Sequence, residues 1–91
     1  MTFIQTCDLP GYALVQPIPI EIEQGDNGGY LICAPVFHEY GEGATLEAAQ
    51  EDYLLALVGY YQLLKENATS KNVPTQMQFA QLREYLIEAD A

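Results

Sequence analysis

Cations are scarce in this chain. Three Lys and Arg stand against 13 Asp and Glu in 91 residues, giving a net charge of -10 and an isoelectric point near 4.1. Affinity for nucleic acid comes largely from Lys and Arg that displace counterions from phosphates, so this balance argues against direct binding to DNA or RNA. Attraction to a basic partner remains open. Cysteine is equally sparse: Cys7 and Cys33 do not make a disulfide scaffold. Tryptophan is absent. No hydrophobic run is long. The longest, Tyr53 to Val58, continues past Gly59 to Leu64 with Gln62 as its one polar member. That is about a dozen residues, against the roughly 20 a membrane helix needs. The opening Met-Thr-Phe-Ile-Gln-Thr has no cationic stretch of the kind that begins a secretory signal. The Asn67-Ala68-Thr69 sequon then carries no meaning beyond its pattern. The expectation is a soluble, reduced, cytoplasmic protein.

What is present argues for a folded core. Hydrophobic residues make up 49%, including seven Tyr and three Phe, which is too apolar for a disordered acidic tail. One domain spanning residues 1–91 is all the length allows. A chain this short buries only about two-thirds of the surface its unfolded form exposes, so self-association would help it.

Residues 1–16 read as an arm or strand. Two short apolar runs flank Asp8-Leu9-Pro10-Gly11, whose Pro and Gly are turn residues, so a hairpin or an extended arm both fit. A core over 17–66 follows. Ile18, Ile20 and Ile22 alternate with Pro17, Pro19, Glu21 and Glu23, the period of a strand with one buried face. Prolines donate nothing to a ladder, which puts the first half of this strand at an edge. Gln24-Gly25-Asp26-Asn27-Gly28-Gly29 is a hairpin turn signal, and Tyr30 to Phe37 is apolar on both faces, as in a central strand covered on two sides. A third short strand falls within His38 to Gly43.

Thr45 then caps a helix running to Glu66, with Glu47 well placed against the helix dipole. Leu46, Ala49, Tyr53, Leu57, Tyr60 or Tyr61, and Leu64 recur at helical spacing. From Tyr53 to Tyr61 the helix is apolar almost all round, which one sheet face cannot cover. A homodimer or homotetramer is therefore expected, with Leu54, Val58 and Tyr61 at its interface. A shorter helix is expected over 74–89, started by Pro74 and by Thr75 with Gln78 in a capping-box arrangement. Met77 or Phe79, Leu82, Leu86 and Tyr85 supply its apolar stripe. Strands first and helices after make the chain α+β: an antiparallel sheet of three to four strands, a long helix on one face and a shorter C-terminal helix.

The span Ile18 to Tyr61 resembles the HicB-like antitoxin family. The residues that carry this are Ile20-Glu21-Ile22-Glu23, Asp26-Asn27-Gly28-Gly29-Tyr30, Ala34-Pro35, Gly41-Glu42-Gly43-Ala44 and Thr45-Leu46-Glu47-Ala48-Ala49. They follow the family's order of hairpin, short third strand and amphipathic helix across about half the chain. The resemblance implies a curled, partial RNase H-like fold without catalysis, and a role in occluding a small, basic, RNA-cleaving toxin. Two features depart from the family. Its "DLPGC" follows the second strand, whereas Asp8-Leu9-Pro10-Gly11 precedes the hairpin here. Many members also carry a C-terminal DNA-binding region, for which the 25 residues after Glu66, with only Lys71 and Arg83 as cations, are too short and too acidic.

Candidate chemistry is thin. Glu21, Glu23, Asp26 and Asp52 are the carboxylates a metal-dependent nuclease would need, but Glu21 and Glu23 alternate away from the isoleucines as a solvated face does. Cys33 and His38, with Cys7, lack the tight pairs of a zinc site, and Cys33 reads as a small buried hydrophobe. Neither a catalytic group, a metal nor a cofactor is expected, and the chain is not read as an enzyme. Tyrosine beside carboxylates suits an interface with a cationic surface. Glu21, Glu23, Glu39, Tyr40 and Glu42 are accordingly the expected partner-binding residues. The alternative is a self-associating structural or adaptor domain, with a degenerate nuclease third.

Overall fold

The computed structural model of the chain describes residues 2–5, 7, 9–34, 37, 39–67 and 73–89. His38, Pro35, Val36, Lys71 and Asp8 lie outside the described residues, and so does any metal site that would require His38.

The architecture is α+β. Strands β1 (Thr2–Ile4), β2 (Tyr12–Leu14), β3 (Ile18–Gln24), β4 (Tyr30–Cys33) and β5 (Tyr40–Gly43) precede helix α1 (Leu46–Asn67), helix α2 (Val73–Arg83) and strand β6 (Leu86–Glu88). A four-stranded antiparallel sheet has the order β1-β3-β4-β5, and β2 pairs with β6 in a separate two-stranded sheet. The isoleucine alternation sets the face of β3: Ile18 and Ile20 are buried, Ile22 is half-buried, and Glu21 and Glu23 are exposed. β3 changes partner halfway. Its first half faces β1, from Ile4↔Ile18 to Thr2↔Ile20, and its second half faces β4, from Glu21↔Cys33 to Gln24↔Tyr30. Among the described residues the proline-bearing half thus has a strand on one side only, which is where a residue without an N–H is tolerated. Gly28 closes the β3–β4 turn at φ 84°, a conformation glycine adopts without strain.

Helix α1 starts as expected: Thr45 Oγ1 accepts the Ala48 N–H at 3.1 Å. It lies directly on β5, where Gly41 and Gly43 allow backbone to meet backbone. A Cβ at Gly41 would be 2.4 Å from the Tyr53 nitrogen, and one at Gly43 would be 2.6 Å from the Ala49 nitrogen. At the outer edge of β5 the Asp52 carboxylate accepts the Glu42 N–H at 2.9 Å, covering part of an edge that would otherwise invite another strand. Ile18, Ile32, Tyr53, Leu57, Leu82 and Leu86 are the largest fully buried side chains and form the centre of the core.

Four expectations need correction. The C-terminal helix ends at Arg83, not at 89, and residues 86–88 are a strand. Its last turn closes through i→i+3 bonds, Glu84 N–H to Gln81 O and Tyr85 N–H to Leu82 O. The chain then pairs Leu86 with Leu14 and Glu88 with Tyr12, satisfying a backbone that β2 would otherwise leave bare. The helix also begins at Val73, so Thr75 lies within it instead of capping it. Leu54 and Tyr61 are buried inside the chain and Val58 is half-buried. Tyr61 meets Tyr12 and Phe79 edge-on, at 5.6 and 5.1 Å between ring centroids, so β2 and α2 cover the second side of α1 that an oligomer was expected to cover. Finally, β4 is central but has α1 on one face only.

Candidate functional site

Strand alternation sorts the sheet into two faces. Ile20, Ile22 and Ile32 face α1, as do Gly41 and Gly43. The residues between them face the other way. Cross-strand register then sets Glu21, Cys33 and Tyr40 in one row and Glu23, Leu31 and Glu42 in the next. Among the described residues, no helix or strand packs over this face. Leu31 and Cys33 are half-buried on the central strand, while Glu21, Glu23 and Glu42 are exposed around them. Tyr40 is 61% exposed, and Phe3 stands at the β1 edge with 41% exposed. An apolar strip rimmed by three carboxylates and a tyrosine results.

Four of the five residues expected to bind a partner therefore share one surface, although Glu21 and Glu42 stand 21 positions apart in sequence. Glu39 does not join them. It precedes β5 and is half-buried, and its negative charge, after burial itself, disfavours ionisation of two α1 tyrosines, Tyr53 and Tyr60. Sequence reasoning missed Leu31 and Cys33. A strand apolar on both faces carries the signal, but an uncovered apolar strip and burial on both sides look alike in sequence.

Cys33 is consequently no core hydrophobe. Its Sγ stands 4.0 Å from Glu21 Oε2, at the limit of a thiol contact. Burial, then the charges of Glu21 and Glu23, push its thiol up from the ordinary value. It stays protonated at neutral pH and is a poor nucleophile. The carboxylates considered for nuclease chemistry do not converge: Glu21 and Glu23 are on the open face, Asp26 is in the turn, and Asp52 is held by β5 backbone. Among the described residues, no three His, Cys, Asp or Glu gather to hold a metal ion. Among the described residues, no helix is long and apolar enough to cross a membrane.

At one end of the open face, an open groove of about 590 Å³ runs between the β3–β4 turn and the end of β5. Asn27, Gly28, Tyr30, Leu31, Glu42 and Ala44 line it. Asn27 Oδ1 accepts the Gly29 N–H at 3.1 Å and so shapes its turn side. The groove has room for a long side chain, with one carboxylate at its wall. Comparison with protein-family models, with curated proteins and with solved structures finds no match for this chain.

Proposed function

We propose that the chain is a non-enzymatic, cytoplasmic binding module of HicB-like type, whose open sheet face occludes a small basic protein such as an RNA-cleaving toxin. The observation that supports this most is the grouping of Glu21, Glu23, Glu42 and Tyr40 around Leu31 and Cys33 on an uncovered face. Apolar area at the centre with charge at the rim is the anatomy of a docking surface. Its sign selects a cationic partner, and a net charge of -10 steers such a partner inward. Tyr40 is the anchor. The groove beside Glu42 takes one Lys or Arg side chain of the partner, its stem along Leu31 and its charge at the carboxylate. A toxin whose RNA-binding surface is covered in this way cannot reach its substrate.

Affinity capture from the native cell tests this. The tagged chain should recover a small protein of basic isoelectric point, and Glu21→Lys with Glu23→Lys and Glu42→Lys should lose it. Recovery of the same protein by the triple variant would move the interface off this face.

A further inference from the structure

The outward side of α1 carries a feature that neither the core nor the open sheet face accounts for. Leu55 and Leu63 are 53% and 56% exposed, and Gly59, midway between them, is exposed too. A Cβ built at Gly59 meets nothing within 4 Å. Glycine weakens a helix interior, and nothing among the described residues needs one there. The contrast is with Gly41 and Gly43, which the chain's own helix backbone makes necessary.

We infer that two copies of the chain associate through α1, crossing antiparallel with Gly59 at the twofold axis. Leu55 lies four residues before Gly59 and Leu63 four residues after it, so the row reads the same in both directions. A twofold axis through Gly59 therefore lays Leu55 of one protomer against Leu63 of the partner subunit, the self-complementarity an isologous interface requires. Residues at i, i+4 and i+8 form the ridge that interlocks with its own copy at a crossing of about 50°, and a glycine at the crossing point lets the two backbones approach. Charge selects the direction. Parallel packing would stack Glu47, Glu51 and Asp52 on their own counterparts, whereas antiparallel packing sets Glu51 against Asn67 of the partner subunit. Only Asp52 and Glu66 remain opposed, and the crossing splays them apart at the helix ends.

Because α1 backs the sheet, the dimer keeps both acidic faces outward and free. Each dimer presents two docking surfaces. The two contacts also respond oppositely to salt: screening relieves repulsion between two chains of charge -10, yet weakens attraction to a basic partner.

The test is sedimentation equilibrium of the full chain from about 10 to 300 µM, at about 0.05 and 0.5 M salt. A two-chain mass is expected, with tighter association at the higher salt. Gly59→Leu should weaken association at least about tenfold, since a side chain now fills the crossing point, while thermal stability at low concentration is maintained or raised. Leu55→Lys should do the same to association through a different residue. A single-chain mass throughout would overturn the inference and leave the ridge to a different partner. So would a dimer that neither substitution weakens. Capture of the basic partner by Gly59→Leu should be unchanged, which separates this contact from the open face.

Discussion

A methyl group at Gly41 would stand 2.4 Å from the Tyr53 nitrogen and 2.5 Å from the Ala49 carbonyl oxygen, both backbone atoms that cannot rotate away. Gly41→Ala should therefore cost about 3 kcal/mol or more, read from urea denaturation. Gly59→Ala meets open space and should stabilise the monomer by about 0.5–1 kcal/mol in the same measurement. Tyr53, packed beside Gly41, is fully buried, and among the described residues its hydroxyl has no hydrogen-bond partner. A buried hydroxyl without a partner forfeits its hydration, so Tyr53→Phe should stabilise the chain by about 1 kcal/mol. Burial above all, with Glu39 next and Cys33 adding to it, raises the Tyr53 phenol above its ordinary value of 10.0. In the unfolded chain this group loses its proton near 10.0, whereas in the folded chain it does so only at higher pH. Its contribution to stability is thus complete below pH 10.0 and is lost as pH climbs from there toward the folded value. Tyr53→Phe should make the alkaline decline in stability shallower.

Among the elements, those with local signals were legible in the sequence. The β3–β4 hairpin is written in the Ile18, Ile20, Ile22 alternation and in a glycine-rich turn whose Gly28 does take positive φ. Helix α1 is written in Thr45 and in the spacing of Ala49, Tyr53, Leu57 and Leu64, all buried. Elements of three residues were not. β1, β2 and β6 hold too few residues to show a period, and their partners lie far away in sequence. Leu82 and Leu86 are four apart and both buried, which fits one helix as well as a helix end followed by a strand. Only pairing with β2 decides it. The ladder there is extended by Val15 N–H to Tyr85 O and Ala89 N–H to Gly11 O, and the exposed Lys65–Glu88 ion pair ties it to the end of α1. Leu86→Ala should cost about 2–4 kcal/mol in urea denaturation, with early loss of hydrogen-exchange protection in β2. For the site, the individual residues were readable but their company was not. Glu39 and Tyr40 are neighbours in sequence, yet Glu39 precedes β5 and is half-buried whereas Tyr40 is exposed on the open face, a difference that charge and residue type alone do not reveal.

At the scale of the whole molecule, the surface divides into two regions of different character, for which two different contacts are proposed. The open sheet face is acidic around an apolar strip, and the far side of α1 is a leucine ridge with a glycine at its centre. For the basic partner, Glu21→Lys with Glu23→Lys should mainly slow association, and that rate should fall steeply between about 0.05 and 0.5 M salt. Tyr40→Ala should mainly speed dissociation, at a cost of about 1–2 kcal/mol, measured by surface plasmon resonance. The most direct test of the docking face is an NMR shift map of the isotope-labelled chain titrated with the basic protein recovered by capture. The account predicts perturbation of Glu21 to Glu23, Leu31 to Cys33 and Tyr40 to Glu42, with Leu55, Gly59 and Leu63 undisturbed. Shifts centred on α2 and β6, with the open sheet face silent, would contradict it.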